Sequence, residues 1–437
     1  MAQGVLPSPK IADDNAAQQI KDPSRVARSL KFMQGSPIFE TLQNRAFRWV
    51  LISSFASFMA MNMQMITRGW LVLRLQDDSP LALVLVMVSF AAPMTFVSLL
   101  GGAMADRVPK KYLIVGSQFC NAVLTLVLAM MDASGVIWFG ALLVISFVNG
   151  SMMAINMPSR QAIISEIVPE DKLMNAVALN NSAMNLTRIL GPALAGFMIL
   201  FVGTSGVFYL VSVIYVLSAF LVMLVHVEDA PSRVGPRKSV AADISEGLKY
   251  VFTDQTLRGL TIMAFLPSLF GFTLFALMPA WAKEALSVNS AGLGLLMMVI
   301  GVGALVGTLG IASVRNFSRR GAMLLFNGTL WGIALMGLSQ SPNYIVAIPF
   351  LLMIGLLSST FMSTNMTLMQ LNSAPEMRGR VMSIAMMTFG MMPIGALPFG
   401  MLAESIGTPN ALTLSGLVLA VLTLVFAFVY PSFKRIS

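Results

Sequence analysis

The chain has 437 residues, of which 57% are hydrophobic and only 11% are charged, and its mean hydropathy is +0.80. Soluble proteins carry about a quarter of their residues as charged side chains, so this composition excludes a soluble globular protein. A net charge of +9 could indicate nucleic-acid binding, but the chain has no long basic run interleaved with aromatic residues. We interpret the basic excess as loops that lie against an anionic membrane surface.

The first segment, 1–45, is polar, mixed in charge and interrupted by four prolines. It lacks the apolar run and the small-residue cleavage site of a secretory signal. We predict that 1–45 is a cytoplasmic tail, disordered until about residue 36, and that the first apolar segment anchors the chain without being cleaved.

Long apolar segments follow, separated by short polar loops. A segment of roughly 20 apolar residues crosses the ~30 Å hydrocarbon layer as a helix. We therefore predict an all-α membrane protein with twelve transmembrane helices. These spans lie near 47–72, 81–104, 112–131, 136–157, 173–200, 205–226, 259–282, 291–313, 321–339, 344–370, 381–403 and 409–431.

The basic residues indicate how the chain is oriented. Nearly all of the 28 Lys and Arg residues fall in alternate loops, as in cytoplasmic loops of membrane proteins. The opposite side has only Arg74 and Lys283, while Arg68 and Arg188 lie inside predicted spans. With an even number of crossings, both termini are predicted to be cytoplasmic, in a multi-pass protein of the inner membrane.

The spans divide into two halves around the longest inter-span segment. Residues 228–258 begin with a turn-rich stretch and continue with Ile244, Leu248, Val251 and Phe252 at helical spacing. A shift of 206 residues superimposes several Gly and Pro positions of the two halves. We predict six-helix bundles at 46–227 and 259–431, a linker with an amphipathic helix at 228–258, and a cytoplasmic C-terminus at 432–437. Duplicated halves of this kind place a substrate site between them, near the membrane midplane.

The loop between spans two and three reads Gly101-Gly102-Ala-Met-Ala105-Asp106-Arg107-Val-Pro-Lys110-Lys111. It resembles the signature of the major facilitator superfamily. Glycines allow close helix approach, and a carboxylate is favoured at a helix N-terminus. The resemblance implies a gating cluster that closes the cytoplasmic side in one conformational state, made of Gly102, Asp106, Arg107 and Lys110.

Two further stretches are similar to one branch of that superfamily, which contains enterobactin exporters and macrolide-efflux-like proteins. They are Asn156-Met-Pro158-Ser-Arg160-Gln161-Ala162 and Asn185-Leu-Thr-Arg188-Ile-Leu-Gly191-Pro192-Ala-Leu-Ala-Gly196. The resemblance implies an alternating-access exporter of small amphipathic molecules, monomeric and driven by the proton gradient. It adds Arg160, Gly191, Pro192 and Gly196 to the gating residues. The element at 191–196 resembles an antiport motif only in part, because Ala195 and Thr187 replace glycines.

Arg188 is the foremost candidate for the substrate site. It lies ~22 Å from the predicted start of its span at 1.5 Å per residue. An Arg at that depth in the bilayer raises the free energy of insertion by on the order of 3 kcal/mol, so it should face a cavity or a partner. Asn181 and Asn185 share its helical face, which predicts either a substrate-facing stripe or an interhelical clamp. Further substrate-binding candidates in polar clusters are Arg68, Gln64 and Asn156.

No Asp or Glu falls in the middle of a predicted span, so the carrier of a coupled proton is open among Asp106, Glu166, Glu404 and Asp132. The fixed charges of Arg188 and Arg68 favour an anionic or hydroxyl-rich substrate. We predict no enzyme activity, metal or cofactor, because the spans have neither a nucleophile–base pair nor a ligand cluster, and no nucleotide-binding loop occurs. The expected partners are a small-molecule substrate, the bilayer and the proton gradient, with no nucleic acid. Uptake, facilitated diffusion and a non-transporting receptor or assembly factor remain as alternatives.

Overall fold

The computed structural model describes residues 37–226, 240–313, 319–374 and 376–436. Within these ranges the chain forms helices joined by short turns, and no strand occurs there. The predicted all-α fold is confirmed. The predicted disordered tail up to residue 36 and the turn-rich start of the linker lie outside the described residues.

The first group of helices occupies 37–223. Asn44 begins α2 as a cap, because its side chain accepts a 3.1 Å hydrogen bond from the backbone N–H of Phe47. The elements are α1 (Pro37–Gln43), α2 (Arg45–Leu75), α3 (Pro80–Arg107), α4 (Lys110–Ala133), α5 (Phe139–Ile167) and α6 (Glu170–Met223).

The 54 residues of α6 do not form one straight helix. Gly203 has φ 68° and ψ −179°, a conformation that is essentially restricted to glycine. Thr187 before it accepts a 3.4 Å hydrogen bond from Asn62, and Tyr215 after it donates a 3.2 Å bond to Gln64. Since Asn62 and Gln64 lie at the same level of α2, the chain reverses at Gly203 and its two arms, 170–202 and 204–223, lie side by side.

The second group occupies 240–435. Its first element is the predicted amphipathic helix, with Val251 buried and Phe252 half exposed. The elements are α7 (Val240–Thr253), α8 (Gln255–Leu266), a π-helical turn (Pro267–Gly271), α9 (Thr273–Leu286), α10 (Ser290–Ser313), α11 (Arg320–Ser339), α12 (Tyr344–Leu371), α13 (Arg378–Gly390), α14 (Met392–Ile406), α15 (Thr408–Val429) and a 3-10 turn (Pro431–Arg435).

Among the described residues, nine helices are long and apolar enough to cross a membrane, and Pro80–Met94 and Met392–Ile406 are shorter apolar helices. One of the nine is α6, whose reversal gives it two arms. The count of twelve spans therefore stays a prediction, as do the boundaries of the two halves.

Both ends of the described chain lie on one side of the helix bundle, which we call the terminal side; the opposite side is the far side. On the terminal side, Asn44 donates to the carbonyl of Ile167 (2.7 Å), and Gly321 donates to that of Ile436 (3.0 Å). The two groups of helices meet chiefly where α6 crosses α10 and where α3 crosses α14.

Apolar packing differs between the two sides. On the far side one large core cluster includes residues of both groups, among them Met63, Ile199, Leu277 and Leu296. On the terminal side each group has a separate cluster, around Phe47 in the first and around Leu257 in the second. Among the described residues, the groups therefore share an apolar core on the far side and have separate apolar clusters on the terminal side, which indicates that the space between them opens toward the terminal side.

Candidate substrate site and gates

Arg188 faces away from the lipid-exposed surface of α6. Its side chain is exposed, and it has no hydrogen bond or ion pair to any residue that the structure describes. At about 100° per residue, five exposed apolar residues of the same arm point within about 60° of the opposite direction. They are Leu186, Leu194, Phe197, Leu200 and Phe201. This apolar face is the one suited to lipid, so Arg188 points into the protein.

The helices that flank α6 identify the space that Arg188 faces. On one flank Gly191 packs against Asn62 of α2, and on the other Ile189 packs against Gly301 of α10. Arg188 lies between these contacts, at the space between the first and second groups. Asn181 is exposed and Asn185 is half-buried on the same side of the helix. We call Asn181, Asn185 and Arg188 the Arg188 face; the structure brings these three predicted residues together, and their binding role stays a prediction.

A second polar region lies inside the first group, between α2, α4, α5 and the second arm of α6. All its side chains are buried, and we call it the polar column. It extends ~22 Å along α2 from Ser53 to Arg68 at 1.5 Å per residue. Its members are Ser53, Ser54, Ser57, Gln64, Arg68, Ser117, Gln118, Asn121, Thr125, Asn149, Asn156, Arg160, Tyr215 and Ser218. None of these members is acidic.

Arg160 is the centre of the terminal end of the polar column. Its Nε donates to Asn156 (2.8 Å), and its two terminal nitrogens donate to the hydroxyls of Ser53 (3.2 Å from each), Ser54 (3.1 Å) and Ser218 (3.0 Å). Every described partner of this guanidinium is neutral. Asn156 also donates to Ser117 at 2.6 Å, so both predicted residues lie within the bundle and away from the Arg188 face.

Arg68 and Gln64, predicted as one cluster, have different partners farther along the column. Arg68 donates to Asn149, which donates to Asn121 (2.8 Å), and its guanidinium lies 5.7 Å from the ring centroid of Phe90. Gln64 instead donates to Thr125 at 2.8 Å and accepts from Tyr215. The Nε of Arg68 is buried and has no hydrogen-bond partner among the described atoms.

Most members of the polar column are not predicted from the sequence. A signal was present in α2, where Ser53, Ser57, Gln64 and Arg68 recur at spacings of four, seven and four, as one helical face requires. The hydroxyls of Ser218 and Tyr215 carry no such signal, because they lie more than 150 residues further along the chain.

Glycines allow the close contact between the two groups on the far side. A Cβ added at Gly294 would lie 2.5 Å from the carbonyl oxygen of Pro192, and one added at Gly196 would overlap the carbonyl of Ser290. The predicted gating residues Gly191, Pro192 and Gly196 are therefore located at contacts of α6 with α2 and α10. Backbones approach this closely only where side chains are missing.

Polar contacts also join the groups on the far side. Lys283 of α9 pairs with Asp78 at 2.5 Å. The Glu404 carboxylate accepts from the Ser79 hydroxyl and from the backbone N–H of Leu81 at 3.2 Å. Glu404 thus caps the first turn of α3 from the other group, where a negative charge is favoured. These contacts have to break if the far side is to open.

The other predicted gating and coupling residues lie near helix ends. On the terminal side Lys110 pairs with Glu166. On the far side Asp132 pairs with Arg74 and accepts from Thr204 at 2.5 Å. The backbone of 101–107 is helical, but the side chains of Gly102, Asp106 and Arg107 lie outside the described part. Across the described residues, no group of three or more His, Cys, Asp or Glu side chains could hold a metal ion.

Comparison with known proteins shows the same architecture. The staphyloferrin A transporter of Staphylococcus aureus (strain NCTC 8325 / PS 47) is 26% identical over 396 residues, which cover 89% of this chain and 97% of that protein. The multidrug efflux pump Tap of Mycolicibacterium fortuitum is 24% identical over 324 residues, 72% of this chain and 78% of the pump. A crystal structure of a POT family transporter in complex with 5-aminolevulinic acid has the same fold, with a TM-score of 0.74, 12% identity, and 90% and 97% coverage of the two chains.

A family model described as transmembrane secretion effector matches residues 36–435, nearly the whole chain. The predicted resemblance is confirmed, and the family and its structural neighbours are transporters and not enzymes. The chain therefore belongs to the transmembrane secretion effector family of the major facilitator superfamily, and it is a multi-pass membrane transporter that acts on small molecules.

Proposed function

We propose that this transporter exports a small amphipathic molecule, siderophore-like or drug-like, by alternating access. The terminal side faces the cytoplasm in this proposal. The observation that carries it is the position of the Arg188 face. This face lies at the space between the two groups of helices, which is open toward the terminal side while the far side is held closed. A substrate enters from the cytoplasm in this state and leaves after the far-side contacts have opened.

Two independent features support this proposal, one for the orientation and one for the direction of transport. Nearly all basic residues of the chain fall in loops predicted for the terminal side, as is typical of cytoplasmic loops. Of the relatives, one is named as a multidrug efflux pump, which favours export. Uptake is the alternative within the same fold.

The proton gradient is the proposed source of energy. The sequence has no Gly-rich run that ends in Gly-Lys-Ser/Thr, the loop with which nucleotide-driven pumps hold phosphate, so we take a gradient as the energy source. The described candidates for a proton-carrying group, Glu166, Asp132 and Glu404, each contact a partner near a helix end. If one of these carboxylates carries the coupled proton, its protonation would change contacts at a gate and not at the Arg188 face.

Efflux from cells tests the proposal. A strain that lacks its own exporters is loaded with a panel of amphipathic compounds, and extrusion is followed with and without a protonophore. We expect extrusion of at least one compound, and its loss when the protonophore is added. An empty-vector strain is the control for passive leak.

Other outcomes would contradict the proposal in distinct ways. Equilibration of the compound across the membrane that the protonophore does not affect would indicate a facilitator. Accumulation of the compound in the cells that the protonophore abolishes would indicate uptake. Saturable binding without flux in any direction would indicate a receptor with the transporter fold.

A further inference from the structure

The Arg188 face has a charge that nothing described in the protein neutralises. Three arginines, Arg68, Arg160 and Arg188, lie within the helices that form the first group. The first two are buried, and their described partners are neutral amides, hydroxyls and an aromatic ring. Neither of these guanidiniums has a described acidic partner, so both add positive charge to the interior of the group.

None of the acidic side chains that the structure describes compensates this charge at the site. Asp132 and Glu404 are engaged on the far side and Glu166 on the terminal side. Arg188 differs from the two buried arginines because it is exposed, and all five of its N–H donors are free of described partners. It is thus the interior arginine that a molecule entering from the terminal side can reach.

The neighbouring side chains of the same helix face add further hydrogen-bond donors beside the Arg188 charge. A guanidinium presents its N–H groups as a planar fork that matches a carboxylate bidentately. Asn185 lies three residues before Arg188 and Asn181 seven before it, so their amide groups follow along the same face of the helix. Such a row of one cation and two amides suits an oxygen anion at one end of an elongated amphipathic molecule.

We infer that the Arg188 face is the binding site for the anionic group of the substrate, and that this group is a carboxylate on a soluble amphipathic molecule. The inference rests on the proposed export and deepens it, because it names the chemical class that the site selects. The apolar face with Leu186 and Phe197 is directed at the lipid, so a lipid headgroup is not the expected occupant.

Two xanthene dyes of opposite charge test the inference with the purified full chain in detergent. Carboxyfluorescein is the anionic probe and rhodamine 123 is the cationic one, and fluorescence anisotropy measures the binding of each. We expect wild type to bind carboxyfluorescein at least about tenfold more tightly than rhodamine 123, because the dyes differ chiefly in charge.

Substitution of the arginine then shows whether its charge is responsible. We expect Arg188→Gln to weaken carboxyfluorescein binding about tenfold or more, which corresponds to about 1.4 kcal/mol, and to leave rhodamine 123 binding within about threefold. Arg188→Lys should weaken it less than Gln, because the charge remains and only the fork is lost. Arg48→Gln, the same change at an exposed arginine near the start of α2, is the matched control. Elution volume and thermal unfolding confirm that each variant is folded.

Several results would overturn the inference. One is carboxyfluorescein binding that is absent in wild type or unchanged in Arg188→Gln, and another is displacement of the dye by phosphatidylglycerol in mixed micelles, which would assign the site to lipid headgroups. Cellular efflux separates this failure from failure of the proposed function. If Arg188→Gln still extrudes the panel compounds at the wild-type rate, the exporter stands and the anion site does not.

Discussion

Arg188 and Arg160 have different surroundings, although both lie within long apolar helices. Arg188 is exposed and without described partners, whereas Arg160 is 2% exposed and bound to four neutral side chains. A buried guanidinium is tolerated only if its N–H groups are satisfied. The three serines and Asn156 therefore hold Arg160 in place, and Arg160 in turn joins α2, α5 and α6 at the terminal end of the polar column.

Replacing Arg160 by Lys should destabilise the first group of helices. Lysine keeps the charge, but a single ammonium group cannot reach both Asn156 and Ser218 as the fork does. Hydrogen bonds to charged groups contribute about 1.5–3 kcal/mol each, so we expect the midpoint of thermal unfolding in detergent to fall by several degrees. Arg48→Lys, at an exposed position, should leave the midpoint unchanged. Equal midpoints for the two variants would show that Arg160 does not stabilise the bundle.

Sequence patterns identified some of these residues and not others for a physical reason. Helix periodicity groups Arg188, Asn185 and Asn181 on one face, because the three share a helix whose periodicity is fixed by its geometry. Gln64 and Arg68 were grouped for the same reason, yet they have different partners on α4 and α5. Which side chain a buried polar group contacts depends on how helices pack, and helix periodicity alone does not determine that.

Among the helices, α6 determines much of the architecture through two glycines. Gly203 reverses the chain, and Gly196 packs directly against α10. The break between spans 173–200 and 205–226 was predicted from the sequence within a few residues. The left-handed backbone of Gly203 was not, because glycine is common throughout this chain and its conformation has no pattern of its own.

Gly203→Ala should lower stability through the backbone alone. A Cβ at Gly203 would have no neighbour within 4 Å, so the cost arises from φ 68° and not from a clash. Holding a residue other than glycine in such a conformation lowers the free energy of unfolding by about 1–3 kcal/mol. We therefore expect a lower unfolding midpoint and a lower yield of folded protein. Gly116→Ala is the matched control, because its Cβ is equally free and its backbone is helical. A midpoint equal to that of the control would contradict the assigned backbone conformation.

Gly294→Ala tests the crossing of α10 with α6. The added Cβ lies 2.5 Å from a backbone oxygen of Pro192, so the helices have to separate on the far side. We expect reduced thermal stability and reduced efflux of the exported compound. Gly310→Ala on the same helix meets no atom within 4 Å and should be neutral, or stabilising by up to about 1 kcal/mol through helix propensity. If the two variants behave alike, the crossing does not depend on this glycine.

At the scale of the whole molecule, the two groups of helices share a core and polar contacts on the far side and pack separately on the terminal side. Charges are distributed differently, since the reachable Arg188 lies in the interior while Asp132, Glu166 and Glu404 lie near helix ends on both sides. The twelve apolar segments predicted two bundles with a site between them. They did not predict which side is closed, because that depends on a small difference in free energy between two packings of the same helices.

Reversible cross-linking of the far side tests alternating access most directly. Asp78 and Lys283 form an ion pair between the groups, so Asp78→Cys with Lys283→Cys, in a Cys120→Ala background, places two thiols across the closed gate. A bis-methanethiosulfonate reagent should join them and stop efflux of the exported compound, and dithiothreitol should restore it, while Asp78→Cys alone should transport normally with the reagent. Full efflux from the cross-linked protein would contradict the account, because substrate would then cross without the far side opening.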